Sequence, residues 1–250
     1  MQTYALITGG SKGLGKAIAL KFAQNKINIG ITGRDSKALE ETASIIRKMG
    51  VECHVFVADM SIESDINKLA EDAFSKSKHW EILVNNAGYA IKKPLLELKI
   101  EDWDYIQNVN IRSVFQLSKL MAPKMIAHKR GKIINISSLS AFYGTPGMGA
   151  YGVSKASLNQ LTRTMAVEWG PFNIQTNAIC PTIVMTDMGK SIWENPDNEN
   201  MKHDFLGRIP MRRFGLPEDV ANLAFFLAGK ESDYINGQSI PLEGGKMAQP

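Results

Sequence analysis

The sequence predicts an α/β fold in which one parallel sheet of about seven strands is covered by helices on both faces. Short runs of apolar and β-branched residues alternate with longer helical patterns along the chain. The runs are apolar at successive positions, as in strands buried on both faces, and the stretches between them are long enough for crossover helices. With 250 residues, of which 44% are hydrophobic, the chain can build one substantial core, so we expect a single doubly wound domain over residues 1–250.

Seven segments read as strands because they are short, apolar and bounded by turn residues. They are expected at residues 4–8, 27–32, 51–58, 82–85, 132–137, 174–179 and 238–242. Ser36 is expected to cap the helix after the second strand, which would end at Gly50, and Ser61 to open the helix after the third. The apolar faces are expected to consist of Leu39, Ala43, Ile46 and Met49 in the first helix and of Ile62, Ile66, Leu69 and Ala73 in the second.

Composition and charge argue against several classes of function. The 29 basic and 25 acidic residues leave a net charge of +4 that is spread along the chain, so no nucleic-acid-binding patch is indicated. Cys53 and Cys180 are too far apart in sequence for a redox or zinc motif, and the four histidines show no ligand spacing, so we expect buried thiols and no metal site. The chain starts without an export signal, and the apolar stretch 220–228 is shorter than the roughly 20 residues that cross a bilayer, so we expect a cytoplasmic protein with no membrane partner.

A glycine-rich turn, Thr8-Gly-Gly-Ser-Lys-Gly-Leu-Gly15, follows the first predicted strand and opens a helix. Gly9, Gly13 and Gly15 would let the main chain approach a pyrophosphate closely, and the amides at the start of the helix would favour its negative charge. Glycine spacing alone is also found in ordinary tight turns. The position of this turn is the one that a dinucleotide-binding fold requires, so we interpret it as a nucleotide-binding loop.

The second predicted strand ends at Gly33 and Arg34, where an acidic residue would bind the adenosine ribose of NAD(H). Arg34 can instead pair with a 2′-phosphate, and Lys12 in the glycine turn can add a second positive charge. Asp35 comes next and is expected to help cap the following helix. The sequence therefore favours NADP(H) over NAD(H), with an Arg34 that meets only solvent as the alternative.

Four polar residues form a candidate catalytic group. Tyr151 and Lys155 lie four residues apart at the start of a predicted helix, so their side chains should share one face, although such a pair is common by chance. Ser138 ends the fifth predicted strand, at the ligand-binding edge of the sheet. Asn110 lies in the apolar helical pattern 103–121, where its amide needs a partner, and a buried hydrogen bond that bends the helix is its alternative role.

The order and spacing of these motifs resemble the short-chain dehydrogenase/reductase family over essentially the whole chain. The resemblance is carried by the turn at 8–15, Asp59, Asn85-Asn-Ala-Gly88, Asn110, Ser138, Tyr151, Lys155 and Pro181. It implies a Rossmann-type fold and hydride transfer between a nicotinamide and a carbonyl or secondary alcohol. Thr182 departs from the family pattern, because many members carry glycine after the proline.

The resemblance also implies a role for each catalytic residue. Tyr151 would exchange a proton with the substrate oxygen. Lys155 and the oxidised nicotinamide would both lower the pKa of Tyr151, and Lys155 would hold the nicotinamide ribose. Ser138 would hydrogen-bond the substrate oxygen, and Asn110 would hold a water that links Lys155 to solvent. Asp59 and Met60 are expected at the adenine, 86–88 at the adjacent ribose, and Val184 and Thr186 at the nicotinamide amide. The full cofactor-binding set is expected to be Gly9, Ser11, Lys12, Gly13, Leu14, Gly15, Arg34, Asp59, Met60, Asn86, Ala87, Gly88, Asn110, Tyr151, Lys155, Pro181, Val184 and Thr186.

Two further resemblances indicate a substrate class. Residues 180–189 and 208–210, with Trp193, Pro196 and Met201, resemble the xylulose reductase branch of the family. Residues 168–169, 172–178 and 232–238 resemble gluconate 5-dehydrogenases. Both branches act on small polyhydroxylated molecules, so we expect a keto sugar, a sugar acid or a polyol as the substrate, and a small lid over residues 186–212. Trp193, Asn195 and the loop 143–149 are expected either to shape the pocket or to pack the lid.

Other functions stay open at this level. A 3-oxoacyl thioester reductase would use the same catalytic residues and cofactor, and an NADP-binding sensor would use the cofactor without catalysis. The segment Gly152-Val-Ser-Lys-Ala156 approaches the nucleophile elbow of serine hydrolases, but Ala156 replaces its second glycine. By resemblance we expect a homotetramer, with the helix at 220–228 and the last strand as interface elements; core packing is the alternative role of that helix.

Overall fold

The computed structural model describes residues 3–248, except for the side chain of Met188. Its strands are β1 (Tyr4–Thr8), β2 (Asn28–Gly33), β3 (Cys53–Val57), β4 (Ile82–Asn85), β5 (Gly131–Ile136), β6 (Ile174–Pro181) and β7 (Ser239–Leu242). They form one sheet in the order β3-β2-β1-β4-β5-β6-β7, in which every neighbouring pair is parallel. The winding direction reverses between β1 and β4, which opens a crevice at the carboxyl ends of these strands. The predicted doubly wound sheet is therefore confirmed.

All seven predicted strands are present, with small shifts at their ends. The largest shifts are in β3, which begins at Cys53 rather than at residue 51, and in β6, which continues to Pro181 rather than ending at residue 179. The apolar runs located the strands correctly because both faces of this sheet are covered.

The helices are α1 (Gly13–Gln24), α2 (Ser36–Arg47), α3 (Glu63–Lys76), α4 (Ile100–Gln107), α5 (Ser113–His128), α6 (Gly149–Trp169), α7 (Asp187–Trp193), α8 (Glu199–Gly207) and α9 (Pro217–Ala228). The predicted starts at Ser36 and Ser61 are wrong, whereas the expected capping role of Asp35 is confirmed. The cap of α2 is Asp35, whose Oδ1 accepts a hydrogen bond from Ala38 N at 3.1 Å. Ser61 does not open α3, because its N–H and its hydroxyl both donate to Asp59 Oδ1, and the adjacent Ile62 is 47% exposed.

The core consists of two layers, one on each face of the sheet. Alternate residues of β1 face opposite layers: Ile7 packs with Phe22 and Leu39, whereas Leu6 packs in the layer of Leu117. Helices α1, α2 and α9 cover the first face, and α3 and α5 contribute to the second. Cys53 and Cys180 are buried free thiols, as predicted. Within residues 3–248, no helix is long and apolar enough to cross a membrane.

Candidate active site

Ser138 and Tyr151 lie together at the carboxyl edge of the sheet. Ser138 caps the 3₁₀ turn Leu139–Ala141, where its Oγ accepts a hydrogen bond from Ser140 N at 3.1 Å. It follows β5 after an intervening residue rather than ending that strand, which stops at Ile136. Tyr151 lies in the first turn of α6 and hydrogen-bonds the side chain of Ser138. A carbonyl oxygen between these two hydroxyl groups could be contacted by both.

Lys155 lies one helical turn after Tyr151 and is 3% exposed. Its Nζ donates to the main-chain oxygen of Ile136 at 2.8 Å and lies 5.6 Å from the centroid of the Tyr151 ring. The Ser137 hydroxyl donates to the main-chain oxygen of Lys155 at 3.2 Å, which ties α6 to the end of β5. Burial lowers the pKa of Lys155 to about 8, because a charged ammonium is poorly solvated there.

Burial and hydrogen bonding act on the pKa of Tyr151 in opposite directions. Burial is the largest influence and raises this pKa above its ordinary value, whereas the hydrogen bond with Ser138 lowers it. The nearby Lys155 does not reverse the effect of burial. Tyr151 therefore keeps its proton at neutral pH, and a protonated phenol is the form that can donate to a carbonyl oxygen.

Asn110 lies in a π-helical turn, Asn108–Arg112, that interrupts the helical pattern between α4 and α5. The residue is fully buried. Its Oδ1 accepts a hydrogen bond from Tyr89 N at 2.8 Å, and its Nδ2 donates to Tyr89 O and to Ser154 Oγ, each at 2.9 Å. The side chain thus connects α6 with the segment after β4, and the residue itself lies in a helix irregularity.

Ser154 has no geometry for nucleophilic catalysis. It is buried inside α6, where its hydroxyl donates to the main-chain oxygen of Tyr151 at 2.7 Å and accepts from Asn110. A nucleophile elbow would instead place the hydroxyl exposed on a sharp turn between a strand and a helix. The serine hydrolase hypothesis is therefore wrong.

The glycine turn forms a close-packed cradle before α1. Gly9 has a φ of +67° and Gly13 a φ of +56°, which other residues rarely adopt. A Cβ on Gly15 would lie 2.2 Å from Gly9 O. Lys12 is the residue before the helix, and the first amides of α1 are left without partners in their own helix. The turn therefore fits the pyrophosphate of a dinucleotide, as the sequence predicts.

Thr8 and Asn86 hold this turn against β4, a role that the sequence analysis missed for both. The Thr8 hydroxyl accepts hydrogen bonds from the main-chain N–H groups of Asn86 and Ala87, both at 2.9 Å. The Asn86 amide donates to the main-chain oxygens of Thr8 at 2.8 Å and Gly9 at 3.2 Å. Gly88 lies further in, where a Cβ would be 3.5 Å from Asn110 Oδ1 and 3.6 Å from Lys155 Nζ.

Arg34 lies at the outer end of the crevice, with a side chain that is 69% exposed. Its Nη1 is 3.3 Å from the hydroxyl of Tyr105 and 3.8 Å from Asp59 Oδ2. Asp59, predicted at the adenine, is therefore close to Arg34, predicted at the 2′-phosphate. Met60 is buried in the core layer of α3, so only its main chain is available to a ligand. The guanidinium stays accessible to an anion because exposed ion pairs of this length bind weakly.

The remaining predicted cofactor residues lie in the glycine turn itself, at the end of β6 and in the segment after β6. A Cβ on Gly13 would be 3.5 Å from Thr186 Cγ2, so Thr186 faces this turn while its hydroxyl caps α7. Val184 pairs with Gly215, and Pro181 ends β6. Ser11 O accepts a hydrogen bond from Thr42, and Leu14 packs against the core. Thr182 is accommodated without glycine, since its N–H donates to Leu242 O at 3.1 Å.

Residues 186–212, which are predicted to form a lid, contain α7 and α8 and contribute to a small separate apolar cluster. Trp193, Ile209 and Phe214 are buried together, and the Trp193 ring lies 5.0 Å from the ring centroids of both Phe205 and Phe214. Asn195 Oδ1 accepts a hydrogen bond from Asp197 N, which starts the turn before α8. Trp193 therefore packs within this region, and Asn195 caps its 3₁₀ turn. Both residues thus have the packing role that was the alternative to shaping the pocket.

Comparisons with known proteins agree with this arrangement. A family model described as enoyl-(acyl carrier protein) reductase matches residues 9–246. The 3-oxoacyl-[acyl-carrier-protein] reductase FabG of Thermotoga maritima is 37% identical over 243 residues, which are 96% of each chain. A putative short-chain alcohol dehydrogenase from Sinorhizobium meliloti has a TM-score of 0.94 at 32% identity and covers 100% of this chain and 98% of its own. A putative NAD(P)-dependent gluconate 5-dehydrogenase from Beutenbergia cavernae with bound NADP has a TM-score of 0.92 at 30% identity. The match covers 99% of this chain and 97% of that protein.

Proposed function

Because this chain belongs to the short-chain dehydrogenase/reductase family of oxidoreductases, we propose that it uses NADP(H) to interconvert a carbonyl and a secondary alcohol of a keto sugar, sugar acid or polyol. The observation that carries this proposal is the convergence of Ser138, Tyr151 and Lys155 at the edge of the sheet that also holds the glycine turn. When bound, a nicotinamide nucleotide supplies the hydride and, in its oxidised form, a positive charge that favours the Tyr151 phenolate.

The side chains of this site have separate tasks during reduction. Ser138 donates a hydrogen bond to the carbonyl oxygen, and Tyr151 gives that oxygen its proton. The Lys155 ammonium, fixed by Ile136 O, stabilises the phenolate that remains and binds the nicotinamide ribose. Because the Asn110 side chain is already paired with Tyr89 and Ser154, the proposed relay water would be held by the main-chain oxygen of Asn110.

The preference for NADP(H) rests on two basic residues at the adenosine end of the crevice. Arg34 offers an exposed guanidinium beside Asp59, and Lys12 precedes the first amides of α1. A planar guanidinium suits a phosphate, which it can bind through two parallel hydrogen bonds. The bound NADP of the Beutenbergia cavernae neighbour supports the same cofactor for this chain.

Gly15→Ala tests the cradle. The added Cβ would meet Gly9 O, so the turn would have to move away from the start of α1. We expect the Kd for NADPH to rise by about tenfold or more, because the amides that bind phosphate are displaced. Gly144→Ala is the matched control, since a Cβ there meets nothing within 4 Å. Fluorescence titration measures both, and an unchanged Kd in Gly15→Ala would mean that this turn does not hold the nucleotide.

The pKa shifts predict how the rate depends on pH. The pKa of Tyr151 is raised and that of Lys155 is lowered to about 8, so both groups are protonated below pH 8. We therefore expect kcat/KM for carbonyl reduction to be constant up to about pH 8 and to fall above it as Lys155 loses its charge. Alcohol oxidation needs the phenolate and should become faster as the pH rises. Steady-state rates measured between pH 6 and pH 10 test this pH dependence. A reduction rate that rises through pH 8 would contradict the roles of protonated Tyr151 and Lys155.

The substrate class is tested with purified protein and a panel of ketoses, keto sugar acids, diketones and an acetoacetyl thioester, each with NADPH and with NADH. The name of the Thermotoga maritima relative favours a 3-oxoacyl thioester as the second candidate. A much higher kcat/KM for a keto sugar or keto acid supports the proposal, and a higher value for the thioester supports the second candidate. Binding of NADPH without turnover of any carbonyl would favour a sensor.

We also propose a homotetramer. The α9 residues Val220, Ala221, Ala224 and Leu227 are buried in the core of the protomer, but Phe226 of the same helix is 41% exposed, so α9 stays an interface candidate. β7 is the last strand on its side of the sheet among the described residues, which leaves its outer edge as an interface candidate. Sedimentation analysis gives the mass of the assembly directly.

A further inference from the structure

Lys246 connects three segments that surround the proposed site. It begins the 3₁₀ turn Lys246–Ala248, which follows β7. Its Nζ donates to the hydroxyl of Tyr143 at 2.7 Å and lies 5.0 Å from the centroid of the Tyr143 ring and 5.2 Å from that of Phe205. Tyr143 belongs to the loop between Ser138 and Tyr151, and Phe205 belongs to α8 of the lid. The ammonium therefore lies where three segments meet: the loop between Ser138 and Tyr151, the predicted lid and the segment after β7.

The main chain fixes Lys246 at this place. The turn leaves the sheet at the carboxyl end of β7, the edge at which Ser138 and Tyr151 also lie. Gly244 O accepts a hydrogen bond from Met211 N at 3.1 Å, and a Cβ on Gly245 would be 3.0 Å from the Pro210 ring. The turn is therefore seated on the segment that follows the lid helix, and the position of Lys246 does not depend on its own side-chain contacts.

The contacts of Lys246 leave it able to bind an anion. An ammonium has three N–H donors, and Tyr143 accepts from one of them. The two aromatic faces attract the positive charge but cannot replace a carboxylate as an acceptor. The Tyr143 hydroxyl, whose oxygen accepts from Lys246, still has its own hydrogen to donate. Glu243, which lies between β7 and this turn, already accepts a hydrogen bond from Met247 N at 2.8 Å.

We propose that Lys246, oriented by Tyr143, is a specificity-determining residue that binds a carboxylate of the substrate. This inference rests on the proposed function and narrows it, since it selects a keto acid among the carbonyl compounds considered there. An ammonium paired with a hydroxyl recognises a carboxylate by charge-assisted hydrogen bonds, whereas a neutral ketose offers it only weaker acceptors. Because the Lys246 ammonium contacts Tyr143 and Phe205 rather than Ser138 or Tyr151, we assign it to substrate binding rather than to proton transfer.

The test compares a keto sugar acid with the neutral ketose of the same carbon number in the wild type and in Lys246→Met. We expect the variant to lose about tenfold to a hundredfold in kcat/KM for the acid, mainly through a higher KM, and to keep its rate with the ketose. Lys246→Arg should retain most of the preference because it keeps the charge. Lys230→Met is the matched control, since it removes an exposed lysine beside the first residues of β5, at the opposite edge of the sheet.

Equal losses for the acid and the ketose in Lys246→Met would overturn the proposal, because they would mean that the residue only braces the lid. A wild type that does not prefer the acid would overturn it as well. Calorimetric binding of gluconate to the NADP-saturated protein is a readout that needs no turnover. If gluconate binds the wild type and Lys246→Arg but not Lys246→Met, the proposal stands even where no carbonyl is reduced, and only the proposed function fails.

Discussion

Tyr151→Phe is expected to lower kcat for carbonyl reduction by about 10²- to 10⁴-fold, the usual contribution of a positioned general acid. The change removes the O–H that carries the proton but keeps the ring. The contact between this ring and Lys155 Nζ is thereby retained, and Ser138 keeps its hydrogen bond with Ser140 N. The fold and the cofactor site should therefore stay intact while the chemical step slows.

Rates and binding must be measured together to interpret this variant. We expect NADPH to bind Tyr151→Phe with the wild-type Kd, so the loss should be confined to turnover. Tyr234→Phe is the matched control, because Tyr234 is fully exposed and lies between the turn after α9 and β7. If Tyr151→Phe retained activity within about threefold of the wild type, another group would have to supply the proton, and the assignment of Tyr151 would be wrong.

Arg34→Ala is expected to raise the Kd for NADPH by about tenfold to a hundredfold, the effect of losing a hydrogen-bonded charge on a phosphate. NADH lacks that phosphate, so its Kd should stay the same or fall slightly. The existing contacts of Arg34 with Tyr105 and Asp59 are exposed or long, and their loss should change the free energy of unfolding little.

The ratio of the Kd for NADPH to the Kd for NADH distinguishes the loss of a phosphate contact from a general distortion of the nucleotide site. Arg163→Ala is the matched control, since Arg163 is an exposed residue of α6 that binds Gln160 within its own helix. It should leave both Kd values unchanged. Equal weakening of NADPH and NADH in Arg34→Ala would show that Arg34 supports the crevice in general, and a wild-type preference for NADH would contradict its proposed role directly.

The glycine turn and the strands could be predicted from sequence because they are determined by local chemistry. The left-handed φ angles of Gly9 and Gly13 suit glycine, and continuous apolar runs are required for strands that are buried on both faces. The spacing of Tyr151 and Lys155 likewise determines that they share one face of α6. Helix starts were less predictable, because Asp35 and Ser36 are both good capping residues and the backbone selects between them.

A buried polar network illustrates what local patterns do not reveal. Asn135 lies between Asn85 and Thr162: its Oδ1 accepts from Asn85 Nδ2 at 2.9 Å, and its Nδ2 donates to Thr162 Oγ1 at 2.9 Å. This chain of hydrogen bonds joins β4, β5 and α6, and so fixes the catalytic helix against the sheet. The sequence around each residue does not reveal its partner, because the partners are 50 and 27 positions apart.

The sequence by itself determined the fold class and the position of the glycine turn, and it predicted Ser138, Tyr151 and Lys155 as one candidate catalytic group, since spacing and residue type are sufficient for these. The tertiary structure determined the pKa values and the hydrogen-bond partners of these side chains. Burial raised the pKa of Tyr151 and lowered that of Lys155. Contacts between residues that are distant in sequence bind the Asn110 amide to Ser154. They also bury Trp193 against Ile209 and Phe214. The physical reason is that solvation and distant partners are set only when the whole chain packs, whereas periodicity and backbone preference act within a few residues.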